Sequence, residues 1–467
     1  MTHLFIENSL LWYQRLIAAF PGVTGLVLIS RYTRSGQFRR LPFLEYAVAQ
    51  LYLFWGLPAV VYDRAEGLPV TRTAMTEAAI AVAVTTLVMV LAHPLGTAIG
   101  RAARPVIDRF LPPNPPQVGT IVYLPWLTVG VVAAAGLVGF LPTEVRFAVS
   151  VLATYYPLLT YTAMRAFAPD APRWTRLQLF IATVVLSLAG LLTGMTEWVV
   201  RPLLVTGALF IVLRKRVPTR WLVLGAATVA LLQPVKGYYR ESAWDEDERI
   251  STDAGLAASR WADAFAAYWS QPSPVYSASS GSLWSRLNEL SPIARTFEFT
   301  PSPIGYDYGE SWSYLVVAAV PRALMPNKPT PREVFNDRYN LTFGLQPRST
   351  IGLSTNGFPL VADGYWNFGW FGVVFVAAVL GVLLGVFAST VRLDSWASLT
   401  LGVANFAELR AHTYLLAHLG GLLQRYVGIT LACWIAWAAM RLMTALLSRL
   451  GGRRWTRRQV QQSALRR

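Results

Sequence analysis

FGWFGVVFVAAVLGVLLGVFAS, residues 368–389, runs from Phe368 to Ser389 without one Asp, Glu, Lys or Arg. A helix rises 1.5 Å per residue, so about 20 such residues cross a hydrocarbon core about 30 Å thick. The run therefore predicts a membrane-crossing helix, and similar apolar runs recur along the chain. With 54% hydrophobic and 14% charged residues among 467, the composition is that of a polytopic membrane protein, not a soluble enzyme.

Length and hydropathy predict eleven spans, at about 10–30, 43–61, 74–96, 119–140, 146–163, 175–194, 198–213, 221–235, 368–389, 396–417 and 425–447. The expected fold is thus an all-α polytopic bundle. Spans one to eight occupy residues 1–235, a long polar segment follows over 236–367, spans nine to eleven fill 368–450, and a basic tail closes the chain at 451–467.

The formal net charge is +16, and the arginines sit between spans instead of on one soluble face, which argues against a nucleic-acid partner. Alternate connections are rich in base: Arg31, Arg34, Arg39 and Arg40; Arg101, Arg104 and Arg109; Arg165, Arg173 and Arg176; Arg214, Lys215, Arg216 and Arg220. The tail, with Arg453, Arg454, Arg457 and Arg458, belongs to the same set, so the C-terminus is expected in the cytoplasm. An odd number of spans then places the N-terminus and residues 236–367 outside. Cys433, the single cysteine, lies in an apolar run, which leaves no disulfide framework and no thiolate metal site. The acidic run Asp245–Glu248 fits no calcium loop, and no metal or cofactor is called for.

The outer segment carries Trp244, Trp261, Tyr268, Trp269, Tyr276 and Trp284, more aromatic surface than disordered tracts hold. Helices are predicted at Ala257–Ser270 and Ser282–Ser291, with a stiff extended joint at Thr300-Pro301-Ser302-Pro303. Ser313–Val320 is apolar but too short to span, and is expected to form a re-entrant or interfacial helix. Pro321-Arg322-Ala323-Leu324-Met325-Pro326-Asn327-Lys328-Pro329 follows, holding a guanidinium and an ammonium between prolines at headgroup depth. Such a hook suits an anionic diphosphate better than anionic lipid headgroups, because the prolines fix both cations beside the apolar run.

These residues resemble the bacterial O-antigen polysaccharide polymerases of the Wzy type, also called oligosaccharide repeat unit polymerases. The resemblance rests on Arg286, Thr300-Pro301, Gly309-Glu310-Ser311-Trp312-Ser313-Tyr314, Pro321 to Pro329 within the region 300–330, and Asp363-Gly364-Tyr365-Trp366-Asn367-Phe368-Gly369-Trp370-Phe371-Gly372. Met325 stands where Trp is commoner in the family, and Asp363 where Glu is expected. The motif covers about a fifth of the chain.

The resemblance implies a GT-C-like membrane glycosyltransferase of the bacterial inner membrane that builds O-antigen for lipopolysaccharide, with no cofactor. Its donor and acceptor would be undecaprenyl-diphosphate-linked oligosaccharides. Its other partners would be membrane lipids and a chain-length regulator protein. An acceptor hydroxyl would attack the anomeric carbon and expel undecaprenyl diphosphate, so the site needs cations for the leaving group and a base for the acceptor.

Arg322 and Lys328 are the first cations for the diphosphate, with Arg286, Arg410 and Arg425 as further substrate-binding candidates. Asp363, Glu310 and His412 compete as general base, with Asp363 ranked first, and each also has a plain role as a cap, an exposed acid or an ion-pair member. Glu408 and His412 are expected one turn apart on the helix that also carries Arg410. Tyr306, Tyr308, Trp312, Tyr365 and Trp366 offer faces to sugars or form an interfacial belt; Tyr306 is favoured, since it follows Gly305, and Asn367 completes the motif. Glu45, deep in the second span, reads as half of a structural ion pair.

Two other functions fit the same plan. An O-antigen ligase would use the same donor with a lipid A core acceptor. A flippase or transporter of lipid-linked oligosaccharides would show repeated halves and helices broken at mid-membrane, which the sequence lacks.

Overall fold

The structure is a computed structural model. It describes residues 11–34, 40–57, 70–114, 155–191, 196–217, 254–270, 289–320, 325, 327–330, 332–346, 348, 357–413, 426–442 and 444–446, with isolated positions 219, 223, 225, 227, 232, 235, 239, 419 and 422 between them. The described residues are helical or in turns, with one isolated bridge between Pro359 and Thr413. Four helices are long and apolar enough to cross a membrane: Trp12–Arg34, Arg72–Phe110, Leu360–Thr390 and Tyr426–Leu446.

The chain opens with α1 (Trp12–Ala18) and α2 (Phe20–Arg34), then α3 (Phe43–Leu51), whose last turn widens into a π-helix at Tyr52–Gly56. Next come α4 (Arg72–Phe110), α5 (Tyr155–Ala166), α6 (Arg173–Leu191), α7 (Thr196–Arg214) and α8 (Ala254–Ser270). The polar segment supplies α9 (Leu290–Phe299), α10 (Tyr314–Ala319) and α11 (Arg338–Thr342). The chain then builds α12 (Leu360–Thr390) and α13 (Trp396–Ala407), and Tyr426–Leu446 is α14.

The centre of the bundle is the contact between α4 and α12, and it is made by glycine. A Cβ on Gly96 would lie 1.9 Å from the Val382 carbonyl oxygen, and one on Gly385 would lie 2.2 Å from that of His93. Gly381 and Gly100 are as tightly met, at 2.4 Å from the Met89 oxygen and 2.1 Å from Ser389 Oγ. Each helix thus brings a Gly-x-x-x-Gly pair to the seam, where bare backbone allows the approach on which apolar helices in lipid rely. Contacts advance in step along both helices, so α4 and α12 run parallel, as spans three and nine should by the loop-charge alternation.

α4 is far longer than the expected 74–96. It continues through Arg101, Arg104 and Arg109, because charge ends a hydrophobic run without ending a helix. Its 39 residues extend about 58 Å. The far end is tied to the α12–α13 turn by Arg392, whose guanidinium lies 3.2 Å from Asp108 and 2.7 Å from Asp394. Arg40 and Glu45 pair at 2.7 Å, the structural ion pair the sequence suggested.

The tenth predicted span is corrected. α13 stops at Ala407 with Glu408 as its C-cap, and residues 408–413 leave the helix. Two forces hold the break. The Gln50 side-chain amide donates to the Leu409 carbonyl (2.8 Å) and accepts from the Ala411 N–H (2.7 Å), which satisfies backbone groups that a helix would otherwise pair. Glu408 turns instead to Arg201 of α7 (2.6 Å) and to the Tyr156 hydroxyl of α5 (2.7 Å). Glu408, Arg410 and His412 therefore do not share a helix.

In the polar segment, Ala254–Ser270 matches the predicted helix within three residues. Most of Ser282–Ser291 lies outside the described residues, and a helix begins at Leu290, where that one was expected to end. Leu290, Ile293, Ala294 and Phe297 form its buried stripe at helical spacing, laid against α4 and α12. The joint at 300–303 is a turn and not extended chain: the Ile304 N–H returns to the Phe299 carbonyl at 2.8 Å and closes it.

Candidate functional site

The site is set by a break in α12. Phe368 (φ −144°, ψ 26°) and Gly369 (φ 60°, ψ −145°) interrupt the helix, and the left-handed φ explains glycine at the second position. The two halves then meet backbone to backbone. A Cβ on Gly372 would stand 1.9 Å from the Gly364 carbonyl oxygen, and one on Gly364 would stand 2.7 Å from that of Gly372. The glycines of the Asp363–Gly372 stretch are thus the joint, and the short first half presents Asp363 and Asn367 one turn apart toward residues 307–312.

Asn367, fully buried, fastens that loop. Its side-chain oxygen accepts from the Gly309 N–H at 2.9 Å and lies 3.3 Å from Ser311 Oγ. Its nitrogen donates to the Asp363 carbonyl at 2.9 Å and to Asp363 Oδ1 at 3.0 Å. Trp312 Nε1 donates to the same Oδ1 at 3.0 Å, while its ring packs on Phe368 and Phe375. Asp363 is 0% exposed, and its Oδ2 has no hydrogen-bond partner among the described residues.

Asp307 and Arg338 complete the loop. Asp307 accepts from the Ser311 N–H (2.8 Å) through Oδ2 and from Arg338 (2.5 Å) through Oδ1. The same Arg338 nitrogen reaches Glu310 Oε2 at 2.8 Å, and the guanidinium covers the Trp366 ring at 5.3 Å. Glu310 is the open member, with a side chain 74% exposed. Tyr306 lies edge-on to both Tyr308 and Tyr365, and Tyr365 stacks on Phe297 at 3.7 Å.

A second acid lies nearby. Glu289, just ahead of α9, accepts from Trp55 Nε1 at 3.2 Å and faces His412 Nε2 at 3.9 Å, with its side chain 14% exposed. Its own N–H donates to the Phe54 carbonyl at 3.1 Å, and the Phe54 ring stacks on His412 at 3.8 Å. Burial pushes the Glu289 carboxyl up to about 8, with the Trp55 hydrogen bond opposing, so at neutral pH the protonated form dominates. Tyr339 stands between the two acids, its hydroxyl on the Pro292 carbonyl (2.9 Å) and Thr296 Oγ1 (2.8 Å).

Among the expected site residues, Tyr306, Glu310, Asp363, Tyr365 and Asn367 are brought into one constellation, and His412 joins Glu289 beside it. Lys328 is only 7% exposed: its ammonium donates to the Val320 carbonyl at 3.0 Å, past the end of α10, and lies over the Tyr314 ring at 5.9 Å. Arg410 is exposed in the turn after α13. Arg286, Arg322 and Arg425 lie outside the described residues.

Asp307, Arg338 and Glu289 were missed. Asp307 opens an Asp-Tyr-Gly-Glu turn, a legible signal; Glu289 immediately precedes an apolar stripe, the position of a helix-start acid. Nothing in the sequence around Arg338 marks it.

Chemically, Glu310 can take a proton from a group arriving at the surface, while Asp363 and Asn367 hold the loop that carries it. No curated protein and no solved structure matches the chain. The model of a domain family of unknown function, DUF8712, matches residues 123–404, more than half of the chain and all of the loop constellation, and the protein belongs to that family.

Proposed function

We propose that this protein is a glycosyltransferase of the bacterial inner membrane that polymerises undecaprenyl-diphosphate-linked oligosaccharide repeat units into O-antigen or a similar surface polysaccharide. In this account the chain crosses the membrane eleven times, with the N-terminus outside and the C-terminus in the cytoplasm. α13 and the break after it then make the tenth crossing. The described residues of 289–320 and 332–346, which gather where α4 and α12 begin, face outward.

One observation carries the proposal. Two segments quoted for the polymerase resemblance, Gly309–Tyr314 and Asp363–Gly372, lie some fifty residues apart in sequence yet meet through Asn367 and Asp363. Residues that share a site have to meet in this way.

The acceptor hydroxyl attacks the anomeric carbon, the bond from that carbon to the diphosphate oxygen breaks, and the acceptor proton passes to the Glu310 carboxylate. Arg338, 2.8 Å from Glu310 Oε2, fixes where that carboxylate stands. Asp363 acts as a positioning residue through Trp312 and Asn367, since its burial keeps it from the acceptor. Arg322 is assigned to the departing diphosphate.

Deleting the gene and resolving surface polysaccharide on a gel tests the proposal. Loss of the ladder, with single repeat units remaining on the lipid A core, is expected. An unchanged ladder would overturn it, and complete loss of repeat units from the core would identify a ligase. Arg322→Ala should reproduce the deletion while the protein still accumulates in the membrane.

A further inference from the structure

We infer that Tyr308 is a sugar-stacking platform for the acceptor glycan, carried on a turn built to hold its ring out at the surface. Residues 307–310 form a tight turn closed by the Glu310 N–H on the Asp307 carbonyl at 3.0 Å. Its two central residues have φ of 49° (Tyr308) and 85° (Gly309), the signature of a type I′ turn. Gly309 suits its position. Tyrosine does not suit the one before it, where Asn, Asp or Gly is favoured and a bulky Cβ crowds the backbone. Lys215 shares the left-handed φ but follows directly on a helix end, where such a residue is ordinary. Tyr308 has no such excuse.

What the strained position achieves is exposure. Tyr308 is 74% exposed, although Asn367, Asp307 and Arg338 pin its turn from below. Tyr306 stands edge-on at 5.9 Å and 71°, so the two rings make an open corner. Glu310 ends the same turn and pairs with Arg338 at 2.8 Å. An aromatic face bordered by a carboxylate and a guanidinium is what a pyranose ring takes: apolar C–H groups on the ring, hydroxyls to the charged edge. Trp312 of the same loop, by contrast, packs its ring on Phe368 and Phe375.

The inference rests on the glycan-transfer function and specifies where its acceptor lies. It is tested with the full-length protein in lipid nanodiscs on an array of immobilised oligosaccharides ending in glucose, galactose, mannose, rhamnose or N-acetylglucosamine. Tyr308→Asn removes the ring and supplies a residue the turn prefers, so its thermal midpoint should equal or exceed the wild type's. Its binding to whichever glycan the wild type retains should fall about tenfold. Tyr308→Trp should keep binding within about threefold of the wild type. A Tyr308→Asn protein that binds like the wild type overturns the platform and leaves glycan transfer standing. A lowered midpoint for Tyr308→Asn would show a structural tyrosine and also overturn it. Absence of any retained glycan overturns the platform as well, while the deletion ladder judges glycan transfer separately.

Discussion

Asn367→Ala should unfasten the 307–312 loop without unfolding the bundle. The substitution deletes the acceptor of the Gly309 N–H (2.9 Å) and the contact with Ser311 Oγ (3.2 Å), and it removes one of two donors to Asp363 Oδ1. Each such bond contributes about 1 kcal/mol net, and a buried group left unpaired costs about 1–3 kcal/mol. Because the Ser311 hydroxyl is fully buried, the loss totals about 3 kcal/mol. At 1.4 kcal/mol per factor of ten, loop opening becomes on the order of 10² times more frequent. Hydrogen exchange read by mass spectrometry on peptides spanning 305–314 would report it, since these amides exchange through local opening. Peptides from the α4–α12 seam, around 381–386, should exchange as in the wild type. Loop exchange within about threefold of wild type would refute the idea that Asn367 holds the loop.

Three other outcomes follow from the same contacts. Gly385→Leu places a side chain where even a Cβ would meet the His93 oxygen at 2.2 Å, so the α4–α12 seam must part; accumulation in the membrane should collapse, whereas Gly207→Leu, with open space around it, should accumulate normally. Glu408→Ala removes the carboxylate that meets the buried Arg201 guanidinium at 2.6 Å and accepts from the Tyr156 hydroxyl, and should lower the thermal midpoint, whereas Glu408→Gln, which keeps an acceptor there, should lower it less. Glu289 holds its proton to about pH 8 when folded, but would lose it near 4.5 when unfolded, so the folded state binds more protons between those values and stability falls as pH rises from about 4.5 to about 8. Glu289→Gln should flatten that slope in thermal melts taken at a series of pH values.

Most of the helical plan could be read from the sequence, because transfer of apolar side chains from water is a local property. Residues 368–389 declare a membrane-length helix on hydropathy alone, and Leu360–Thr390 contains them. Hydropathy says nothing of where a helix continues into water, so α4 outran its predicted end through Arg101 and Arg109. It also says nothing of the break after Ala407, which is held by Gln50, more than 350 residues away, and by Glu408 turning to Arg201 and Tyr156. The site was legible in its parts and not in its assembly. Residues 309–314 and 363–372 were both singled out, but burial is decided by what folds over a residue. Asp363 therefore reads in sequence as a partly desolvated carboxylate before a span, and in the fold it is fully buried beneath Trp312. Lys328 reads as a headgroup cation and instead donates to Val320. Arg338 had no local signal, because the acids it joins lie at Asp307 and Glu310, about thirty residues earlier.

The central claim is tested most directly with purified protein in liposomes supplied with undecaprenyl-diphosphate-linked repeat units and no other enzyme. The account predicts lipid-linked products rising in steps of one repeat unit, with one undecaprenyl diphosphate released per step. No elongation and no release of undecaprenyl diphosphate would contradict it.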